Sequence, residues 1–476
     1  MHCRWLFLGL LPAVCESSWY DKAEEPWNLN TAQDASQVLD YASEWPNHEY
    51  FASPKNWRMP FYSFFPDRFV NGDPTNDNAN HTAWEHDHVS NQFRFGGDLQ
   101  GVVDSLDYIH GLGIRSIYLS GSLFLNQAWG TDGFSPYDLT ILDHHHGTLS
   151  EIRNAIQKIH DKGIWVIVEN TFATMADIYT FEGFENTTAP FSFTEHKLDQ
   201  KSTGVYRDFA ASNKFHDDCP WDFPRYWNQG GQLYNDENTT KMVGCMDSEF
   251  DQFGDTGAFG VYPEWQKQLS KFGGVQDRLR DWRPSVLDKI VHFSCMWIKG
   301  LDIDGFRMDK AMQITIDPLG NFSNRVRECA SEVGKTNFFI PGEIVNGNTN
   351  GAIYIGRGKE PSMQYNNVSD AITANESTYI RQDGFQGLDA GAFHYSTYRA
   401  LMRFLGLDGV LSAAEDAPVN FADQWQVMVK TNDMRNAYDN KFDPRHMYGA
   451  SNQDVLRWPG LINGCLLYTS PSPRDS

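Results

Sequence analysis

Arginine and aspartate stand two residues apart in Gly305-Phe306-Arg307-Met308-Asp309, a pentapeptide that follows the apolar run Cys295-Met296-Trp297-Ile298. Alternate residues of a strand point to one face, so Arg307 and Asp309 share a site. A guanidinium that near lowers a carboxylate's pKa and keeps it ionised, as a nucleophilic carboxylate requires. A structural Arg/Asp pair explains the pentapeptide alone equally well, and two further acids favour chemistry. Glu343 ends the stretch Phe338-Phe339-Ile340-Pro341-Gly342 ahead of Asn346-Gly347-Asn348, and Asp454 lies just beyond His446-Met447-Tyr448-Gly449. Acids at the carboxyl ends of separate strands are what a (β/α)8 barrel offers an active site.

The surrounding elements alternate as such a barrel demands. Thr148-Leu149-Ser150-Glu151 is a capping-box pattern, and Ile152, Ile156 and Ile159 follow at helical spacing until Gly163 stops the helix. Ile164-Trp165-Val166-Ile167-Val168 then reads as a strand ending at Glu169. The interval from Glu169 to Asp304 is too long for an ordinary connection, so residues 179–262, rich in Asn, Asp, Trp and Gly, read as an inserted domain. Pro284 to Trp297 is the helix that resumes the barrel. Residues 56–178 and 263–460 thus form its two parts, with an extension over 16–55.

In order along the chain, several segments resemble the α-amylase family, glycoside hydrolase family 13. Phe65-Pro66-Asp67-Arg68-Phe69 with Val70 to Pro74 resembles the loop after strand 1, and Gly113-Ile114-Arg115-Ser116-Ile117-Tyr118-Leu119-Ser120 resembles strand 2. Asp132-Gly133-Phe134-Ser135-Pro136-Tyr137-Asp138 resembles the loop beyond strand 2, and the segments around Asp309, Glu343 and Asp454 resemble strands 4, 5 and 7. The resemblance implies a (β/α)8 barrel with a domain B insertion after strand 3. It also implies a retaining mechanism, in which one carboxylate attacks the anomeric carbon while an acid about 5 Å away protonates the leaving oxygen. By that match Asp309 is the nucleophile, Glu343 the general acid/base with a raised pKa, and Asp454 the carboxylate that grips sugar hydroxyls. Arg307, Phe134, Glu169 and Gln453 fall at substrate-binding positions. Phe134 replaces a sugar-stacking tyrosine, Gln453 replaces a histidine, and Met312-Gln313 replaces a Lys-His pair. Glu169 stands at an acid position whose later Asn-His is here Ala173-Thr174. These losses argue against ordinary starch digestion.

Asn71, Asp73, Asn76, Asp77 and Asp98 resemble the structural calcium ligands of some relatives, and oxygen donors on a tight loop suit calcium. An Asn/Asp-rich turn capped by its own side chains is the other reading. His144-His145-His146 reads as polar loop rather than a metal site, because adjacent histidines do not share a face. Within the family, Leu142 to Thr148, Leu301 to Ala311 and Lys441 to Gly449 are most similar to the extracellular amylase-like domains of fungal cell-wall α-1,3-glucan synthases. That subgroup implies an α-glucan polysaccharide substrate and, as partner, the remainder of a membrane-spanning synthase. A non-catalytic α-glucan-binding module and an independent secreted α-amylase are the competing functions.

Aromatic residues make up 14% of the 476, with 15 Trp and 20 Tyr, enough for sugar-stacking faces as well as core. The net charge of −23 excludes nucleic acid as a partner. Residues 1–15 read as a secretory signal, with Arg4 before the apolar Trp5 to Leu11 and Ala13-Val14-Cys15 at the exit. The expected location is therefore the cell-wall side of the plasma membrane. There Asn80, Asn186, Asn238, Asn321, Asn367 and Asn375 are potential glycan sites. Cys219 and Cys245 are the expected disulfide in an oxidising compartment, and Cys295 is a packed thiol. Residues 461–476 resemble nothing in the family, and the barrel is expected to be truncated before strand 8.

Overall fold

The computed structural model describes residues 45–77, 79, 95–126, 133–181, 198–200, 206, 208–211, 248–250, 253–256, 270–272, 276–281, 283–344, 354, 388, 392–394, 400, 421–430 and 446–447. One sheet holds seven strands in chain order: β1 (Phe61–Phe64), β2 (Ser116–Leu119), β3 (Trp165–Asn170), β4 (Gly305–Met308), β5 (Gly342–Ile344), β6 (Ala392–His394) and β7 (His446–Met447). Each strand pairs in parallel with the next. Parallel neighbours need a crossover between every pair, and an order that never reverses is the topology of a (β/α)8 barrel. β2 is buried throughout and β3 at all but its first residue, which is why both are rich in Val and Ile rather than alternating with polar residues. The segment after residue 447, including the expected strand 8 region and the unrelated tail, lies outside the described residues.

The crossovers carry helices α1 (Leu99–Asp104), α2 (Leu106–Gly111), α3 (Leu149–Asp161), α4 (Pro284–Leu301), α5 (Ile316–Glu332) and α6 (Phe421–Lys430). The expected capping box opens α3: the Thr148 side chain accepts from the Glu151 N–H, and Glu151 accepts from the Thr148 N–H at 2.8 Å. α4 opens on Pro284 and buries Val286, Ile290, Phe293, Met296, Trp297 and Leu301 against the sheet. Trp297 stacks on Phe124 at 5.3 Å and donates its indole N–H to the Leu139 carbonyl at 2.7 Å, so its one polar atom is satisfied in the core.

Residues 45–58 are tied beneath the amino ends of the strands. Asp302 ends α4 in a left-handed conformation (φ 60°) and accepts from the Phe51 N–H at 3.0 Å. Its carboxylate also meets His48 at 2.9 Å, His160 at 3.3 Å and Lys335 at 2.6 Å. His160 and Lys335 bridge on to Asp304, at 2.8 and 2.6 Å, and Phe51 stacks on the His160 ring at 4.4 Å.

The described part of the insertion leaves and returns at one place. Tyr179–Phe181 pairs antiparallel with Leu198–Gln200, and Asp277–Arg278 pairs back onto Thr174–Met175. Asp277 accepts from the Ile178 and Tyr179 N–H groups and from the Tyr206 hydroxyl, stitching exit to entry. Cys219 and Cys245 lie outside the described residues; Cys295 on α4 is half-buried and Cys329 on α5 buried, both as free thiols. Of the potential glycan sites only Asn321 is described, and it sits inside α5 beside the fully buried Ser323.

Candidate active site

Register places the acids at one end of the sheet. Arg307 on β4 lies opposite Glu169 on β3, and Met308 lies opposite Gly342 on β5, next to Glu343. The β4 backbone runs past its last strand residue, where the Asp309 N–H donates to the Asn170 carbonyl at 3.0 Å. Three carboxylates therefore converge on one guanidinium at the carboxyl ends of β3, β4 and β5. Arg307 Nη1 meets Glu169 Oε1 at 2.6 Å and Asp309 Oδ1 at 2.5 Å, and Nη2 meets Glu343 Oε2 at 2.9 Å. All four residues are buried. Arginine suits this position because its planar fork presents several donors at once and stays charged.

Burial raises the cost of ionising Asp309, yet Lys310 and Arg307 together hold its carboxyl below the usual range. Burial likewise works against a charged Arg307, but Glu169 and Glu343 hold it protonated. Glu169 is pushed from 4.5 up to about 8 by burial, against the pull of Arg307. It is fully buried, and its other oxygen accepts from the Tyr118 hydroxyl on β2. The structure thus sets Glu169 beneath Arg307, bracing the guanidinium from below.

Lys310 and Gln276 join this cluster without having been anticipated. Lys310 Nζ meets Asp309 Oδ2 at 2.5 Å and Gln276 Oε1 at 2.5 Å, while its backbone N–H donates to Glu343 Oε2 at 3.1 Å. Gln276 donates to the Phe134 carbonyl and to Ser135 Oγ, both at 2.9 Å. Phe134 is half-buried, its ring 5.8 Å from Lys310 Nζ and edge-on to Phe65 at 5.8 Å, so it borders the same site. Lys310 adjoins the motif residue Asp309, so proximity in sequence was a usable signal. Tyr118 gave another, a polar group in an apolar strand. Gln276 left none. Asp454 and Gln453 lie outside the described residues.

The loop expected to bind calcium is drawn together mainly by its own hydrogen bonds. Asp98 caps α1, accepting from the Gly101 N–H at 2.7 Å, and also from the Gly72 N–H at 3.2 Å and the Asp73 N–H at 2.8 Å. Asn76 Nδ2 donates to Asp98 at 3.3 Å, Asn71 Nδ2 donates to Asp77 at 2.9 Å, and Asp73 accepts from Thr75. The backbones meet closely: a Cβ on Gly101 would lie 1.9 Å from the Val70 carbonyl oxygen, so only glycine fits there. Asn76 Oδ1 is buried without a hydrogen-bond partner among the described residues, an oxygen fit to face a hard cation. No group of three or more His, Cys, Asp or Glu side chains among the described residues is arranged to hold a metal ion.

Comparison with known proteins extends this geometry. The cell wall alpha-1,3-glucan synthases mok13 and mok11 of Schizosaccharomyces pombe are 45% and 47% identical to this chain over 95% and 92% of its length. The chain spans only 19% and 18% of those relatives. A cyclomaltodextrinase of Thermoanaerobacter pseudethanolicus is 29% identical over 60% of this chain and 38% of its own length. Among solved structures, an Anoxybacillus alpha-amylase superposes with a TM-score of 0.51 at 18% identity, covering 86% of this chain and 65% of that one, a likeness of fold. Residues 63–377, well over half of the chain, match the family described as alpha amylase, catalytic domain. That span contains β1 to β5 and the whole Arg307 cluster, and the chain belongs to the α-amylase family.

Proposed function

We propose that this chain is the amylase-like part of a cell-wall α-1,3-glucan synthase and that it cleaves or transfers α-glucan segments by a retaining mechanism. The observation that carries the reading is Arg307 holding Asp309 and Glu343 at adjacent strand ends. One of these acids attacks the anomeric carbon and the other gives, then takes, the proton at the glycosidic oxygen. The identity to glucan synthases over nearly the whole chain supports α-glucan as the substrate. Asp454 completes the set as the carboxylate that grips sugar hydroxyls, with Gln453 and Phe134 bordering the sugar. In the proposed setting the chain enters the secretory pathway through residues 1–15 and acts on the outer side of the plasma membrane, joined to the membrane-spanning remainder of the synthase.

The direct test is product analysis with α-glucan oligosaccharides. Wild-type chain is expected to give shortened or transferred products with retained anomeric configuration, and Asp309→Asn and Glu343→Gln each to lose at least about 10²-fold in rate, the scale of a positioned acid/base. Binding without turnover in the wild type would select the glucan-binding module instead. Ready hydrolysis of soluble starch would select an independent amylase.

We also assign a structural calcium ion to Asn71, Asp73, Asn76, Asp77 and Asp98. A bound ion would cross-link the loop after β1 to the start of α1 and contribute no proton or electron. Chelation is then expected to lower the thermal midpoint reversibly, with excess calcium restoring it. A midpoint indifferent to both leaves the loop held by its hydrogen bonds alone.

A further inference from the structure

Lys310 touches both carboxylates of the proposed mechanism. Its backbone is left-handed (φ 50°, ψ 40°), a conformation that costs a non-glycine residue roughly 1–2 kcal/mol and is retained where structure demands it. That turn aims the N–H at Glu343 Oε2, 3.1 Å away, and returns Nζ to Asp309 Oδ2 at 2.5 Å. The ammonium is buried, hydrogen-bonded to Gln276 and 4.6 Å from the centre of the Phe272 ring. Arg307 already holds Asp309 through Oδ1. Both oxygens of Asp309 therefore carry a cation, although retaining attack needs one of them to bond to carbon.

Resting on the assignment of Asp309 as nucleophile, we propose that Lys310 is a latch on that residue, closing Oδ2 in the empty site and releasing it when a sugar is attacked. In the first half-reaction Oδ2 bonds to the anomeric carbon, the bond to the leaving oxygen breaks, and Glu343 gives that oxygen its proton. Asp309 thereby loses its negative charge and Glu343 gains one. The ionic contact at Oδ2 vanishes, and the ammonium, keeping its proton, stays on Gln276 and the Phe272 ring face beside the newly charged Glu343. In the second half-reaction an acceptor hydroxyl attacks the anomeric carbon, its proton passes to Glu343, the bond to Oδ2 breaks, and the latch closes again. Lys310 is a positioning residue in this scheme, and Gln276 ties its release to the segment that leaves the insertion.

The test is the rate at which a fluorinated α-glucosyl fluoride forms a covalent adduct on the chain, with the adduct mapped by peptide mass. Lys310→Gly removes the ammonium, keeps the N–H facing Glu343 and suits φ 50°. Lys310→Met keeps the stem and serves alone if the glycine variant lacks a cooperative unfolding transition. Both are expected to label about tenfold faster than wild type, the scale of one charge-assisted hydrogen bond lost. Lys310→Arg is expected to stay near the wild-type rate. A merely structural lysine would instead slow labelling in step with lost thermal stability. Labelling of wild type at Asp309 with the Gly and Met variants no faster overturns the latch and leaves the nucleophile in place. Absence of an adduct on wild-type Asp309 overturns both.

Discussion

Glu169 shows how one side chain's surroundings decide its role. A carboxylate buried this deeply is costly unless paired, and here Arg307 is shared with two other acids. Its pKa, raised from 4.5 to about 8, fixes the sign of its effect. Between those values the folded chain keeps a proton that the unfolded chain has released, so stability contributed by this group falls as pH rises through that window. Glu169→Gln, which cannot ionise, is expected to flatten this part of the stability–pH curve, measured by denaturant unfolding from pH 5 to 8. Parallel curves for variant and wild type would mean that Glu169 stays ionised throughout. Reading the sequence placed Glu169 at a substrate position because its strand ends there. Its hydrogen bond to Tyr118 depends on β2 lying beside β3, which no local pattern states.

At the scale of elements, the segment over residues 45–58 and the strand floor form one ionic clasp around Asp302 and Asp304. Burial opposes the charged His160, but its bonds to both aspartates raise its pKa above 6.5. Burial also opposes the charged Asp302, yet His160 and Lys335 hold it down to about 2. The histidine's contribution is complete below its unfolded value and lost as pH rises through the raised one. That of Asp302 is complete above 3.8 and lost as pH falls toward 2. The clasp is thus firmest between about pH 4 and 6.5. His160→Asn is expected to lower the thermal midpoint most in that window and little above pH 8, with hydrogen exchange of residues 48–57 accelerating in parallel. An equal loss at all pH values would mark a packing effect alone. This clasp was not legible in the sequence, where residues 16–55 read only as an extension. Its partners are spread from His48 to Lys335, and the left-handed turn at Asp302 that aims its carboxylate has no glycine to announce it.

The molecule as a whole was the most legible level. Apolar strands, a capping box and acids at strand ends each leave a local trace, and seven parallel strands in chain order follow from them. What escaped were contacts made across the barrel mouth, such as Gln276 with Lys310, which exist only because the insertion returns to its point of departure. The account's central claim is that Asp309, held by Arg307, attacks an anomeric carbon. The most direct measurement is the mass of the chain after exposure to a fluorinated α-glucosyl fluoride, followed by peptide mapping. One glucosyl adduct on Asp309, absent from Asp309→Asn, is the predicted result. A wild-type chain that turns over α-glucan yet takes the label on another residue would contradict it.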